Sequence, residues 1–310
     1  MGQPAGHGEG RADHRPPRHD LGREGLKRDE TGMNHHRASV QYIVSGRASL
    51  ATDVAGEGTA VVFLHANVCD RRMWRAQFDE LSATHMAVGY DRRGFGETRA
   101  EPEDFSALAD LVAVLEATAG DRPAILVGCS LGGRIALDAA IRHPSRVRAL
   151  VLIAPNVAGA PDPTYPADIE TLMMQWNEIE ASGDLDRMNA MKARLWLDGP
   201  RAPEGRVAGA ARDLFLDMNG IALRSAPFGS DVDVTPFFHR LHDIAVPTLV
   251  IWGDLDFPYV QDRCRHLVAA LSGAQGRELH DVAHLPSLER PAEITTLVAE
   301  FVQRLTGADR

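Results

Sequence analysis

A chain of 310 residues with 44% hydrophobic content is long enough for one large domain or two smaller ones, and its composition is that of an ordinary globular protein. Its formal net charge of -10 argues against nucleic acid or an anionic membrane as the main partner. Three cysteines (Cys69, Cys129 and Cys264) without metal-binding spacing, no bilayer-length apolar run and no secretory signal core make a reducing compartment, the cytoplasm, the expected setting.

Residues 1–37 are rich in Gly, Arg, Asp, Glu, Pro and His and almost free of large apolar side chains. Such a segment cannot bury enough surface to offset its chain entropy, so a disordered tail is expected. Five of the thirteen histidines lie there (His7, His14, His19, His35 and His36), and their irregular spacing favours a solvated tail over a metal site. Folded structure is expected from about Val40. Segments 40–44 and 49–52, on either side of Gly46, predict an antiparallel hairpin. The run 60–64 is continuously apolar and β-branched, as in a strand covered on both faces. Runs of the same kind follow at 86–90, 124–127, 149–153 and 248–252, with a last strand near 278–279. Helical patterns at about 70–81, 105–118, 131–142, 260–271 and 291–305 alternate with them, which implies a parallel sheet with helices on both faces.

Between 156 and 240 the strand-like runs vanish and helical stretches appear at 171–181, 185–197 and 207–218. The region reads as a helical cap inserted into a sheet domain whose two parts are 38–155 and 241–310. Its methionines, with Trp176 and Trp196, read chiefly as packing of a small core, although methionine also suits adaptable apolar pockets.

The stretch that organises the chain is Val127-Gly128-Cys129-Ser130-Leu131-Gly132-Gly133. It joins a predicted strand to a predicted helix and frames Ser130 as Gly-x-Ser-x-Gly. A tight strand-to-helix turn of this kind lifts one side chain clear of the sheet, and the positions two either side must be small. Cys129 is a poor rival nucleophile, because the corresponding flanks would be Val127 and Leu131. A serine hydroxyl is a weak nucleophile at neutral pH and needs a base, which in turn needs an orienting group. Partners are expected on the loops after later strands, where Gly253-Asp254-Leu255-Asp256 and Val282-Ala283-His284-Leu285-Pro286 stand. Asp254 and His280 are the rival acid and base.

Five segments in order carry a resemblance: Phe63-Leu64-His65-Ala66, Asp91-Arg92-Arg93-Gly94-Phe95-Gly96, Gly128 to Gly133, Gly253 to Asp256, and His284-Leu285-Pro286-Ser287-Leu288-Glu289-Arg290-Pro291. From about residue 40 to 306 the chain resembles the serine-nucleophile, capped members of the α/β-hydrolase superfamily. The resemblance implies an α/β fold with a mostly parallel eight-stranded sheet, helices on both faces and the helical cap. It implies Ser130 as nucleophile, His284 as general base and Asp256 as the acid that orients it. Backbone amides of Leu131 and Asn67 would form the oxyanion hole, with Ala66 standing where relatives usually have glycine. His65, Asp91 and the Arg92-Arg93-Gly94 turn would brace adjacent loops, and His143 and His239 would be structural.

The implied reaction is hydrolysis of small-molecule carboxylic esters or lactones through an acyl-enzyme, with no metal and no organic cofactor. Hydrolysis of carbon–carbon bonds in vinylogous diketones is the related alternative, weakened by Leu285 where such relatives often have tryptophan. Cofactor-free perhydrolysis also runs on this triad. A ligand-binding member without catalysis is the alternative from another class, disfavoured by the intact set of three residues. The natural substrate and the oligomeric state are left open by the residues.

Overall fold

The computed structural model describes residues 39–307. The segment 1–37, expected as a disordered tail, lies outside the described residues. In chain order the elements are β1 (Ser39–Ser45), β2 (Ala48–Ala55), β3 (Ala60–Leu64), α1 (Arg75–Leu81), β4 (Met86–Tyr90), β5 (Arg99–Ala100), α2 (Ala107–Ala119), β6 (Ala124–Cys129), α3 (Leu131–Arg142) and β7 (Val147–Ile153). There follow α4 (Ala167–Ser182), α5 (Leu185–Lys192), α6 (Ala210–Leu223), β8 (Thr248–Gly253), α7 (Pro258–Ala270), β9 (Gln275–Leu279), α8 (Pro286–Glu289) and α9 (Pro291–Gly307).

One sheet has the order β1-β2-β4-β3-β6-β7-β8-β9. Antiparallel pairing is confined to β1 with β2, β2 with β4, and β2 with β5; every other pair is parallel. The eight expected strands are all present. The ninth, β5, pairs two residues with Ala48 and Ser49 and is too short to leave a periodic pattern in sequence.

The two faces of the sheet feed separate cores, as the period of two along a strand requires. Val62, Leu64, Leu126, Leu150, Leu152 and Val250 pack with residues of α2, α3 and α7. Val61, Phe63, Ile125, Val127, Val151 and Ile251 pack with residues of α1 and α9 on the other side. Strands β3 and β6 are buried at every position, which explains why they read as unbroken apolar runs rather than alternating ones.

Between β7 and β8 the described chain has helices and loops and no named strand. Two details differ from expectation. The expected helix 185–197 is α5 followed by a π-helical turn, Ala193–Asp198. It stops at Gly199, whose backbone has φ +96 and lies where a Cβ would fall 2.5 Å from the Leu255 carbonyl oxygen. The expected start of the next helix at 207 is also displaced to 210. The buried Asp198 carboxylate accepts the amides of Gly205 (2.8 Å) and Val207 (3.0 Å) and the Arg212 guanidinium (2.9 Å). A carboxylate that holds amides in a turn competes with the helix for them.

The first turn of α3 lies directly against the end of β3. A Cβ on Gly132 would stand 2.2 Å from the Leu64 carbonyl oxygen, a contact with backbone that no rotamer relieves. Gly132→Ala is therefore expected to destabilise the fold by about 1–3 kcal/mol, the usual range for overpacking. Thermal unfolding should show Tm lowered by several degrees, and an unchanged Tm would contradict the packing.

Candidate functional site

Ser130 stands between the end of β6 and the start of α3 with φ +52 and ψ -115, one of three non-glycine residues with positive φ among the described residues. Such a conformation persists only when its surroundings hold it. Here the Ser130 amide donates to the Ile153 carbonyl (2.9 Å), and the Ser130 carbonyl accepts from Arg134 N (3.1 Å) and Asn156 N (3.0 Å). The flanking glycines are sterically required. A Cβ at Gly128 would come within 2.6 Å of the Gly132 carbonyl oxygen, and the Gly132 contact with Leu64 has been given. Cys129, the neighbour, is fully buried in the sheet core, and burial pushes its thiol pKa up, so it is no thiolate.

His284 lies on the loop after β9 and Asp256 on the loop after β8. The His284 Nδ1 and Asp256 Oδ2 atoms are 2.7 Å apart and both side chains are buried. The second carboxylate oxygen of Asp256 accepts the Phe257 amide at 2.7 Å, and Gln261 Nε2 donates to the Asp256 carbonyl at 2.8 Å. The His284 loop is tied down on three sides. Val282 O accepts the Leu255 amide (2.9 Å), and the Ala283 amide donates to Glu289 Oε1 (2.9 Å). Glu289 in turn is paired with Arg206 from the inserted helical region. The Trp196 ring, from the π-helical turn, packs on the His284 imidazole with centroids 4.7 Å apart.

The rival pair is sorted by the same geometry. His280 Nδ1 lies 3.1 Å from Asp254 Oδ2, and Asp254 Oδ1 accepts the Asp281 amide at 2.8 Å. The His280 side chain is 88% exposed, and neither residue lines the cavity that holds Ser130. The two rivals are partners of one another on the surface.

Ser130 and His284 line one cavity with two lobes. A lobe of about 290 Å³ is bounded by Leu131, Ala154, Pro155, Asn156 and Tyr259. The other, of about 240 Å³, is bounded by Val68, Met173, Trp176, Lys192 and Leu195. Asn67 and Trp196 line both. The Ala66 amide is turned onto Met73 Sδ (3.3 Å), so Asn67 is the first residue of this turn to reach the cavity. Met191 and Met218 are buried in the cores, and Met173, Trp176 and Trp196, packed against those cores, also line the cavity, so side chains of the insertion serve both packing and the pocket wall.

His65 accepts the Arg92 amide at Nε2 (3.0 Å), so its proton sits on Nδ1 and is donated to the Ala66 carbonyl (2.8 Å). Burial, reinforced by the Arg92 charge, holds its pKa well below the ordinary value and keeps it neutral. Asp91 accepts the Arg71 and Glu97 amides, each at 2.8 Å, and pairs with the Arg71 guanidinium. Arg93 makes a two-pronged pair with Asp110 at 2.8 and 3.0 Å. His65 and Arg92 thus brace the turn that leads to Asn67 and the cavity, and Asp91 and Arg93 brace the 91–96 turn beside it.

Trp196, Glu289 and Lys192 were not assigned to the site from sequence. Glu289 had a usable signal, five residues after His284 in a quoted motif; Trp196 and Lys192 had none, because their place depends on how the insertion folds back.

A family model described as alpha/beta hydrolase fold matches residues 59–291. The chain is 28% identical over 247 residues to the pimeloyl-(acyl-carrier protein) methyl ester esterase of Neisseria meningitidis serogroup A, covering 78% of this chain and 76% of that one. It is 27% identical over 288 residues to the AB hydrolase superfamily protein YisY of Bacillus subtilis, covering 87% and 99%. Among solved structures, the enol-lactonase of Burkholderia xenovorans LB400 superposes with a TM-score of 0.64 at 23% identity, covering 84% of this chain and 99% of that one. The family match spans well over half of the sequence and contains every strand from β3 to β9, and on that ground the chain belongs to the α/β hydrolase fold family.

Proposed function

We propose that this α/β hydrolase cleaves small-molecule carboxylic esters or lactones through an acyl-enzyme on Ser130. The observation that carries the reading is the buried 2.7 Å contact between Asp256 and His284, whose ring borders the same cavity as Ser130. Asp256 holds the Nδ1 proton of His284 and leaves Nε2 free to accept a proton from the Ser130 hydroxyl. Ser130 Oγ then attacks the carbonyl carbon, and the C–O bond to the leaving group breaks as His284 returns the proton to the departing oxygen. Water, deprotonated by the same imidazole, adds to the acyl carbon and releases the acid and Ser130.

Charge develops on the carbonyl oxygen in both steps. The Leu131 amide, at the N-terminus of α3, and the Asn67 amide are the proposed donors to it. Asp256 stabilises the imidazolium that forms as the proton arrives, and the Trp196 ring packs against the imidazole. The region 156–240 serves as the cap: its residues line both lobes around Ser130, and the Arg206–Glu289 pair joins it to the His284 loop. The meningococcal relative, a methyl ester esterase by name, is in keeping with an ester substrate.

A fluorophosphonate probe is expected to label Ser130 stoichiometrically and to fail on Ser130→Ala. That variant should lose about 10⁶ in turnover of an acyl ester, and retention within about tenfold of wild type would refute the assignment. Asp256→Asn should lower kcat by about 10⁴ through the wrong imidazole tautomer. Asp254→Asn, which breaks only the surface pair with His280, should leave ester turnover close to wild type. The reverse ranking in steady-state assays would transfer the acid role to Asp254.

A further inference from the structure

Lys192 lines the lobe of about 240 Å³ that Ser130 and His284 also line. It is the last residue of α5, and its ammonium stands 5.8 Å from the centre of the Trp176 ring. The neighbouring walls are Val68, Met173, Trp176 and Leu195, so among the described residues lining this lobe Lys192 alone carries a fixed charge. It has no ion pair with a described carboxylate. Glu180, exposed on α4, is its acidic neighbour and only partly offsets the effect of burial, which lowers the Lys192 pKa. Of the neighbouring arginines, Arg263 lines the other lobe and Arg134 lines neither. Arg263 donates to the Pro161 carbonyl at 2.8 Å, and Arg134 is paired with Asp231 at 2.7 Å.

An ammonium against apolar walls is poorly solvated, and a carboxylate brought to it forms a charge-assisted hydrogen bond stronger than one in water. The chain as a whole has a net charge of -10, which repels anions at long range, so a positive charge beside the proposed nucleophile acts locally and selectively. We propose that Lys192 is a specificity-determining residue that binds a second carboxylate of the substrate, so that the preferred substrates are half-esters of dicarboxylic acids or esters and lactones that carry a free carboxylate. This rests on the acyl-enzyme reading above. The competing role, a lysine whose stem covers Trp176 while its head stays in water, predicts no preference for anionic substrates.

The test compares kcat/KM for matched anionic and neutral esters in two series. Aryl half-esters of succinate, glutarate and adipate, against aryl alkanoates of equal length, place the carboxylate on the acyl side. Acetyl esters of short hydroxy acids, against acetyl esters of the corresponding alcohols, place it on the leaving-group side. In at least one series wild type is expected to favour the anion. Lys192→Met should lower the anionic-to-neutral ratio about 10- to 100-fold, the value of one hydrogen bond to a charged group. Lys192→Arg should keep most of the preference, and Lys192→Glu should reverse it. The ratio is insensitive to a loss of folded protein, and thermal unfolding of each variant checks the fold. Hydrolysis of neutral esters with a ratio that Lys192→Met leaves unchanged overturns the carboxylate contact alone. No turnover of any ester together with no labelling of Ser130 overturns the acyl-enzyme reading as well.

Discussion

The contact on which the site depends is backbone against backbone. The first turn of α3 rests on the end of β3, with Gly132 so near the Leu64 carbonyl that no side chain fits between them. That approach draws the N-terminus of α3 over the carboxyl edge of the sheet and forces the strand-to-helix turn to reverse within one residue. Ser130 is that residue, and its positive φ is the local consequence. The hydrogen bonds from Ser130 to Ile153 and from Asn156 to Ser130 then fasten the turn to the end of β7. Three parallel strands thus contribute to the position of one hydroxyl.

A second set of constraints brings the imidazole to the same edge. His284 comes from a loop with no regular structure of its own, and a free loop would not hold a ring in place. Gly253 admits it: a Cβ there would lie 1.9 Å from the Val282 carbonyl oxygen, so the loop lies flat on the end of β8. Glu289 caps the Ala283 amide, and burial raises the Glu289 pKa while Arg206 opposes the rise. The pair links the loop to the inserted region, together with the Arg206 bond to the Asp281 carbonyl (3.1 Å) and the Trp196 ring on His284. Asp256, fixed by the Phe257 amide, completes the restraint from the adjacent strand.

The inserted region shapes the cavity more than it builds a core of its own. The π-helical turn at Ala193–Asp198 widens the helix and presents Trp196 to the imidazole, while Leu195 and Lys192 border the lobe beside it. The wall of this lobe is therefore mainly apolar and aromatic, with one ammonium. No helix among the described residues is long and apolar enough to cross a membrane.

The sheet, the helices on its faces and the Ser130 turn were legible in the sequence because each rests on local pattern. Strands buried on both sides must be continuously apolar, and a tight turn must have small flanks; both requirements show in a few consecutive residues, as at 60–64 and 128–132. The candidate acid and base, Asp256 and His284, are legible only as short loop motifs, with Asp254 and His280 as their rivals. Spacing alone cannot say which carboxylate meets which imidazole across 28 residues, and only the folded loops pair Asp256 with His284 and Asp254 with His280. The two-residue strand β5 and the π-helical turn left no periodic signature. The places of Trp196 and Lys192 beside the cavity are hidden for the same physical reason: a side chain in an insertion acquires its neighbours from how the insertion returns to the sheet, and that return is a tertiary event.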